Sequence, residues 1–326
     1  MSEEKFLVTG ALGCIGAWTL RLLVREGIPV VAFDLSGQPT RPRLLMTSDE
    51  LAKIIFVQGD IGNTEQVLSL VKQEQITHIV HLAGLQVPAC KANPPLGAAV
   101  NVLGTVNVFE AARRCQGQVQ GLAYASSVAA LGSNDFYRDR PVRDEVPLHP
   151  ETLYGVYKMA DEHVARLFWQ DWRIASIGLR PYIVFGVGRD QGLTSDIAKA
   201  ILAAAAGRPY HINFGGPVAL QYAEDVGRMF IECARSGYQG AAVRNVRNDV
   251  LDVADFAAML NAATPKACVT FEAKHLLPFP SDLDDSGLRG ILGTVPHTPL
   301  QQAIRETLSA FQSLLADRRI SADDLG

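Results

Sequence analysis

Thr9-Gly10-Ala11-Leu12-Gly13-Cys14-Ile15-Gly16 decides the fold of this chain. The segment stands between a short apolar run, Lys5 to Thr9, and an amphipathic stretch, Ile15 to Glu26, so a helix opens directly after a strand. Gly10 lets the chain turn sharply, Gly13 lets the backbone approach a pyrophosphate, and Gly16 lets the helix pack closely on the strand. The helix start at Cys14 and Ile15 offers unpaired N–H groups and the positive end of its dipole to phosphates. The spacing is G-x-x-G-x-x-G, not the commoner G-x-G-x-x-G. Glycines alone would equally suit a plain tight turn; their surroundings decide.

Outward from this turn, Pro29 to Phe33 reads as a second strand, and Asp34 stands at its end. That is about 20 residues beyond the glycines, where an acid meets the adenosine ribose hydroxyls. A carboxylate there repels a 2′-phosphate and favours NAD over NADP, with Arg41 and Arg43 a little further on as opposing cations. Gly59-Asp60-Ile61 follows a third strand, Ile54 to Gln58. Asp60 is placed to accept from the adenine amino group and Ile61 to cover the ring. The fourth strand, His78 to Leu82, leads through Ala83 to Gly84, so that Leu82, Ala83 and Gly84 let the backbone pass beside the cofactor. His81 reads as a packed core histidine.

Helices at Thr64 to Gln73, Leu96 to Arg114 and Leu153 to Trp169 alternate with further strands at Leu122 to Ala125 and Arg173 to Leu179. This alternation predicts an α/β fold of Rossmann type, with a doubly wound parallel sheet. Residues 1–180 form the NAD-binding domain. Residues 181–326 form a smaller, mainly substrate-binding α/β portion, with helices at Ser195 to Ala206, Glu224 to Ala234, Val253 to Ala262 and Leu300 to Leu315. Some of its elements are expected to return to the main sheet.

At 326 residues with a net charge of -4, the chain has a length that suits a large domain with an appended smaller one. Lys and Arg are scattered, so neither nucleic acid nor membrane is an expected partner; a small molecule is. The five cysteines lie apart without a CxxC pair, and no metal-ligand spacing involves the seven histidines. Reduced thiols, an acidic start unlike a signal peptide, and no run of membrane-spanning length together predict a cytoplasmic protein without a metal.

Tyr154-Gly155-Val156-Tyr157-Lys158 opens the helix before the sixth strand. Residues four apart share a helix face, so the phenol of Tyr154 and the ammonium of Lys158 point into one site while Tyr157 is turned away. A phenol is normally neutral at pH 7; a neighbouring ammonium and a positive nicotinamide both favour phenolate, the form a general base needs. Ser126-Ser127 follows the fifth strand at the edge where such sheets bind ligands, and a hydroxyl there can hold a substrate oxygen.

TGALGCIG, Asp34, GDI, HLAG, Asn101, ASSVAALG, YGVYK and LRPYIVFGVGR together resemble the extended short-chain dehydrogenase/reductase family, which includes sugar-nucleotide epimerases and dehydratases. The resemblance runs to about Arg189. It implies that Ser127, Tyr154 and Lys158 are the catalytic triad, that Lys158 also reaches the nicotinamide ribose, that Asn101 supports the site, and that Pro181 lies near the carboxamide. It also implies a homodimer joined through the helices at Leu96 to Arg114 and Leu153 to Trp169. One departure matters. Sugar-nucleotide epimerases carry an arginine before a Tyr-x-Asp-Asp-like stretch to bind the diphosphate, and here that position is Val218, leaving Arg189, Lys274 or Arg289 to compensate.

An intact triad without that arginine points to an NAD-dependent dehydrogenase acting on a secondary alcohol of a small carbohydrate-like or hydroxy-acid substrate. Gln86, Arg189, Thr194 and Gln221 are the expected substrate contacts, beside Ser127 and Tyr154. Two other readings stay open: a nucleotide-sugar epimerase that keeps its NAD, and a non-catalytic NAD(H)-binding sensor.

Overall fold

The computed structural model describes residues 4–264 and 266–321; the first residues of the acidic start and the last of the second portion lie outside them. Among the described residues twelve strands form three sheets: β1 Phe6–Thr9, β2 Val30–Asp34, β3 Ile54–Gln58, β4 His78–His81, β5 Gly121–Ala125, β6 Ser176–Arg180, β7 Ile183–Phe185, β8 Tyr210–Ile212, β9 Pro217–Tyr222, β10 Ala241–Asn245, β11 Asp249–Asp252 and β12 Val269–Phe271. The main sheet has seven strands in the order β10-β6-β5-β4-β1-β2-β3, all parallel.

Its inner strands are apolar on both faces, because both are covered, whereas edge strand β3 leaves Ile55 and Phe56 exposed. Phe6, Val8, Val30, Ala32 and Val80 face a core shared with helices Cys14–Arg25 and Ala223–Arg235. The alternate residues Leu7, Val31, Phe33 and Ile79 face a second core with Thr64–Gln73, Gly104–Arg114 and Leu153–Trp172. Period-2 alternation between two buried faces explains the near-continuous hydrophobic runs.

The chain winds outward from β1 through β2 to β3, then crosses back to β4 on the other side of β1. This reversal opens a crevice at the carboxyl ends of β1 and β4, where open α/β sheets bind ligands.

The second portion contributes a strand to the main sheet. β10 pairs in parallel with β6, Ala241 opposite Ser176, and completes the main sheet. The rest builds a small mixed sheet, β11-β9-β7, and a two-stranded one, β12-β8.

Three expected elements differ in detail. The long helix at Leu96 to Arg114 is broken into Pro94–Ala98, a π-helical turn Ala99–Leu103, and Gly104–Arg114. In that widened turn the Thr105 hydroxyl donates to the Asn101 carbonyl at 2.7 Å. Helix Leu153–Trp172 runs longer than expected and ends on Arg173, whose φ of 61° is left-handed. Strand six therefore starts only at Ser176, because Arg173 caps the helix instead of opening the strand.

Candidate active site

A cleft of about 570 Å³ lies at the switch point. Its walls include the glycine turn, the residues after β2, β3 and β4, the Ser126–Ala129 turn after β5, the start of helix Leu153–Trp172, and residues 181–194. Every residue expected to touch the cofactor lines it: Gly10, Gly13, Cys14, Ile15, Gly16, Asp34, Asp60, Ile61, Leu82, Ala83, Gly84, Tyr154, Lys158 and Pro181. So do Gln86, Ser127, Arg189 and Thr194.

At the dinucleotide end, a Cβ on Gly10 would lie 2.6 Å from the Ala83 backbone nitrogen, and one on Gly16 would lie 2.4 Å from the Gly10 carbonyl. Only glycine permits these approaches. Helix Cys14–Arg25 starts from an extended Gly13 with no side-chain cap, so its first-turn N–H groups are left for an anion. Asp34 takes N–H bonds from Leu12 at 2.9 Å and Ser36 at 3.1 Å, which fix its carboxylate at the cleft edge. Arg41 is held by Asp190 at 2.7 Å and by the Leu12 carbonyl at 3.1 Å, so its guanidinium is already engaged. Burial pushes the Cys14 thiol up to about 11, although Arg189 and Arg41 pull the other way, so it stays protonated.

At the other end, Thr152 caps helix Leu153–Trp172 by accepting from the Gly155 N–H at 3.0 Å. A Cβ on Gly155 would lie 2.3 Å from the Ala129 carbonyl. Glycine there lets the helix start press against the Ser127–Ala129 turn, which brings Tyr154 and Ser127 to one wall. Tyr157 points away and donates to the Pro94 carbonyl at 3.0 Å.

The two serines have different surroundings. Ser126 is buried and donates to Glu162 at 2.5 Å, and Glu162 is doubly bonded by buried Arg180 at 2.7 and 2.8 Å. Ser127 is partly open; its Oγ accepts from the Ala129 N–H at 3.1 Å, which leaves its own proton to donate outward.

Lys158 is buried with its ammonium 5.9 Å from the Tyr154 ring centre. It donates to the Ala125 carbonyl at 2.8 Å and to Asp161 at 3.1 Å. Burial opposes the charge, but Asp161 and Tyr154 outweigh it and hold Lys158 above its ordinary pKa. Burial lifts Asp161 to about 6 against the pull of Lys158. His81 is driven down to about 3 by burial, with Lys158 adding repulsion, and its ring sits between Thr9 and Thr105 at 2.6 and 3.1 Å. It is a neutral core residue.

A family model described as NAD dependent epimerase/dehydratase matches residues 6–264. The chain belongs to the NAD-dependent epimerase/dehydratase family. NAD is the cofactor of this family, and NAD is the cofactor of this chain. UDP-glucose 4-epimerase of Mycolicibacterium smegmatis is 27% identical over 321 residues, covering 94% of this chain and 98% of the relative. UDP-glucuronate 4-epimerase 6 of Arabidopsis thaliana is 30% identical over 185 residues, 55% of this chain and 39% of that longer relative. Among solved structures, MoeE5 in complex with UDP-glucose and NAD superposes with a TM-score of 0.79 at 25% identity, over 95% of this chain and 99% of that one.

The residues present fit NAD: an uncapped helix start for the pyrophosphate, a fixed carboxylate after β2 for the ribose, and a turn at Gly10 packed so closely on the Ala83 backbone that no side chain stands between it and a ligand. When bound, NAD supplies the acceptor or donor of a hydride. Ser127, Tyr154 and Lys158 stand together at the other end of the same cleft.

One sequence expectation is corrected. Gln221 is fully buried; its amide oxygen accepts from the Tyr182 N–H at 2.8 Å and its amide nitrogen donates to the Val246 carbonyl at 2.7 Å, so it binds β7 to the chain after β10 and does not reach the cleft. Asn101 stands behind the cleft wall: its amide nitrogen donates to the carbonyls of Gly97 and Leu85 at 2.9 and 3.3 Å, and its amide oxygen, buried without a partner, lies against Gly84 of the lining.

Other groups were not foreseen. Asp161 shares the inner face of its helix with Lys158 through i,i+3 spacing, a signal present in the sequence. Phe279 reaches the cleft from the Pro-rich tail, where nothing local marks it.

Proposed function

We propose that this protein is an NAD-dependent dehydrogenase oxidising a secondary alcohol of a small carbohydrate-like or hydroxy-acid substrate. Tyr154 takes the alcohol proton, Ser127 holds the oxygen, and the hydride leaves the carbinol carbon for NAD, giving a ketone, NADH and a proton. The same groups serve the reverse reduction. The observation that carries this reading over a sugar-nucleotide one is Val218, which is fully buried in β9 opposite Leu251. A core valine cannot bind a diphosphate. Of the compensating cations, Arg289 is tied to Asp285 at 2.9 Å, neither it nor Lys274 lines the cleft, and Arg189 alone is left.

Purified protein given NAD and a panel of small polyols, sugars, sugar acids and hydroxy acids is expected to accumulate NADH. No NADH from any of them overturns this reading. The second reading, a nucleotide-sugar epimerase, is favoured by the match to UDP-glucose 4-epimerase over 98% of that relative. It predicts NAD retained through purification and interconversion of UDP-glucose and UDP-galactose without bulk NADH.

The protein is further proposed to work as a homodimer in the reducing cytoplasm. Leu96, Leu103, Leu153, Val156, Leu167 and Trp172 leave an exposed apolar surface on the two helical segments expected to join subunits, and all five cysteines are free. Sedimentation at the monomer mass would overturn the dimer.

A further inference from the structure

Three cations line the cleft: Arg41, Lys158 and Arg189. Arg41 is forked onto Asp190 and the Leu12 carbonyl. Lys158 is paired with Asp161 and the Ala125 carbonyl. Arg189 has no carboxylate partner among the described residues, although Asp190 is its neighbour, because Asp190 is spent on Arg41. Its one hydrogen bond is a long one, 3.3 Å to the Thr194 hydroxyl, and its Nε is buried without a partner. A half-buried guanidinium left this way is set up for a planar oxyanion, which would take two of its parallel N–H groups.

The surroundings give that oxyanion a place. Arg189 comes from the segment after β7 and Gln86 from the segment after β4, so they approach the cleft from different elements. Both meet at Gly192, whose φ is +102°; a Cβ there would lie 2.0 Å from Gln86 Oε1 and 3.2 Å from Arg189 Nη2. The bare backbone at Gly192 thus lets the Gln86 amide and the Arg189 guanidinium close in on it, and with the Thr194 hydroxyl they gather on one part of the cleft wall.

We propose that Arg189, flanked by Gln86 and Thr194, binds the carboxylate of an acidic substrate, so that the alcohol oxidised belongs to a hydroxy acid or sugar acid. This rests on the dehydrogenase reading above and narrows its substrate class. The carboxylate is held unchanged while the C–H and O–H bonds of the neighbouring carbinol break. The other source of an oxyanion in this cleft is the NAD pyrophosphate, whose charge Arg189 is near enough to feel, since its field reaches Cys14. The pyrophosphate already has the uncapped start of helix Cys14–Arg25, whereas a substrate carboxylate has no other free cation in the cleft lining.

The test separates the two sources. Short hydroxy acids and aldonic acids are assayed beside their uncharged amides and alditols, with wild-type protein, Arg189→Gln, Arg189→Lys and Thr194→Val. NAD affinity of each is measured separately by calorimetry, and thermal melts show that each variant folds. The expected result is oxidation of acids over amides, a KM for the acid raised about 10- to 100-fold by Arg189→Gln, a smaller rise in the other two variants, and an NAD Kd within about twofold of wild type. A weakened NAD Kd with an unchanged acid KM would hand Arg189 to the pyrophosphate and overturn the proposal. Equal oxidation of acids and amides overturns it too. If no alcohol of either kind is oxidised, the dehydrogenase reading fails on its own; glycerate and gluconate are then titrated into NAD-loaded Tyr154→Phe protein with and without Arg189→Gln. Binding that Arg189→Gln abolishes sustains the carboxylate site, and no binding removes it.

Discussion

The Lys158 ammonium and the Asp161 carboxylate form an ion pair at 3.1 Å, with side chains 5% and 0% exposed. The pair places a negative charge behind the cation that faces the Tyr154 ring. Burial lifts Asp161 from 3.8 to about 6, so it loses its charge as the pH falls through that value, while Lys158 stays charged. Asp161→Asn is therefore expected to remove the inflection that the titration of Asp161 puts into kcat/KM for alcohol oxidation near pH 6. A pH profile that keeps this inflection would reduce Asp161 to packing. Stability carries its own sign: the folded-state pKa is raised, so ionising Asp161 costs stability as the pH climbs from 3.8 to about 6. In denaturant melts across that window, Asp161→Asn should lose less stability with rising pH than wild type.

Ser126 and Ser127 are adjacent in sequence, but only Ser127 keeps a free proton beside the cleft. Ser127→Ala is expected to lower kcat/KM about 10²-fold, while Ser126→Ala, which loses a bond to Glu162, should act mainly on stability. Glu162→Ala strips buried Arg180 of its partner and should cost about 3–5 kcal/mol in urea unfolding. Equal kinetic losses at the two serines would contradict this division.

How much of this could be read from the residues follows from the range of each interaction. The glycine turn, Asp34 and the Tyr154/Lys158 pair are local: each depends on a strand end, a helix start or i,i+4 spacing, and each lines the cleft. Gln221 misled because a polar residue in a site-like position looks the same whether its amide faces a ligand or backbone 25 residues away, as that of Gln221 does with Val246. The return of β10 beside β6 and the arrival of Phe279 are long-range packing outcomes, which a short amphipathic or Pro-rich segment does not encode by itself. The break at Ala99–Leu103 escaped for the opposite reason: the apolar pattern continues through it.

Tyr154→Phe removes the proton-exchanging oxygen and leaves the ring over which Lys158 sits. Turnover is expected to fall about 10²- to 10⁴-fold with NAD affinity retained. Kinetics and calorimetry on the same preparation decide it. Unchanged activity would remove Tyr154 from the chemistry and restore the sensor reading.

Cofactor choice depends on two carboxylates, not one. Asp34, fixed by the Leu12 and Ser36 N–H groups, opposes a 2′-phosphate directly. Asp190 opposes it indirectly, by holding Arg41, the cation of the same wall, at 2.7 Å. Asp34→Ala should therefore lower the preference for NAD over NADP about tenfold, through lost bonds to the ribose and relieved repulsion. It should not by itself create tight NADP binding, because Arg41 remains engaged. Adding Asp190→Ala frees the guanidinium to meet the phosphate, and NADP affinity is expected to rise about a further tenfold. Kd values for both dinucleotides across wild type, the two single variants and the double variant form a complete cycle. If the Asp190 replacement leaves NADP binding where Asp34→Ala put it, Arg41 cannot reach the phosphate and Asp34 alone sets the choice.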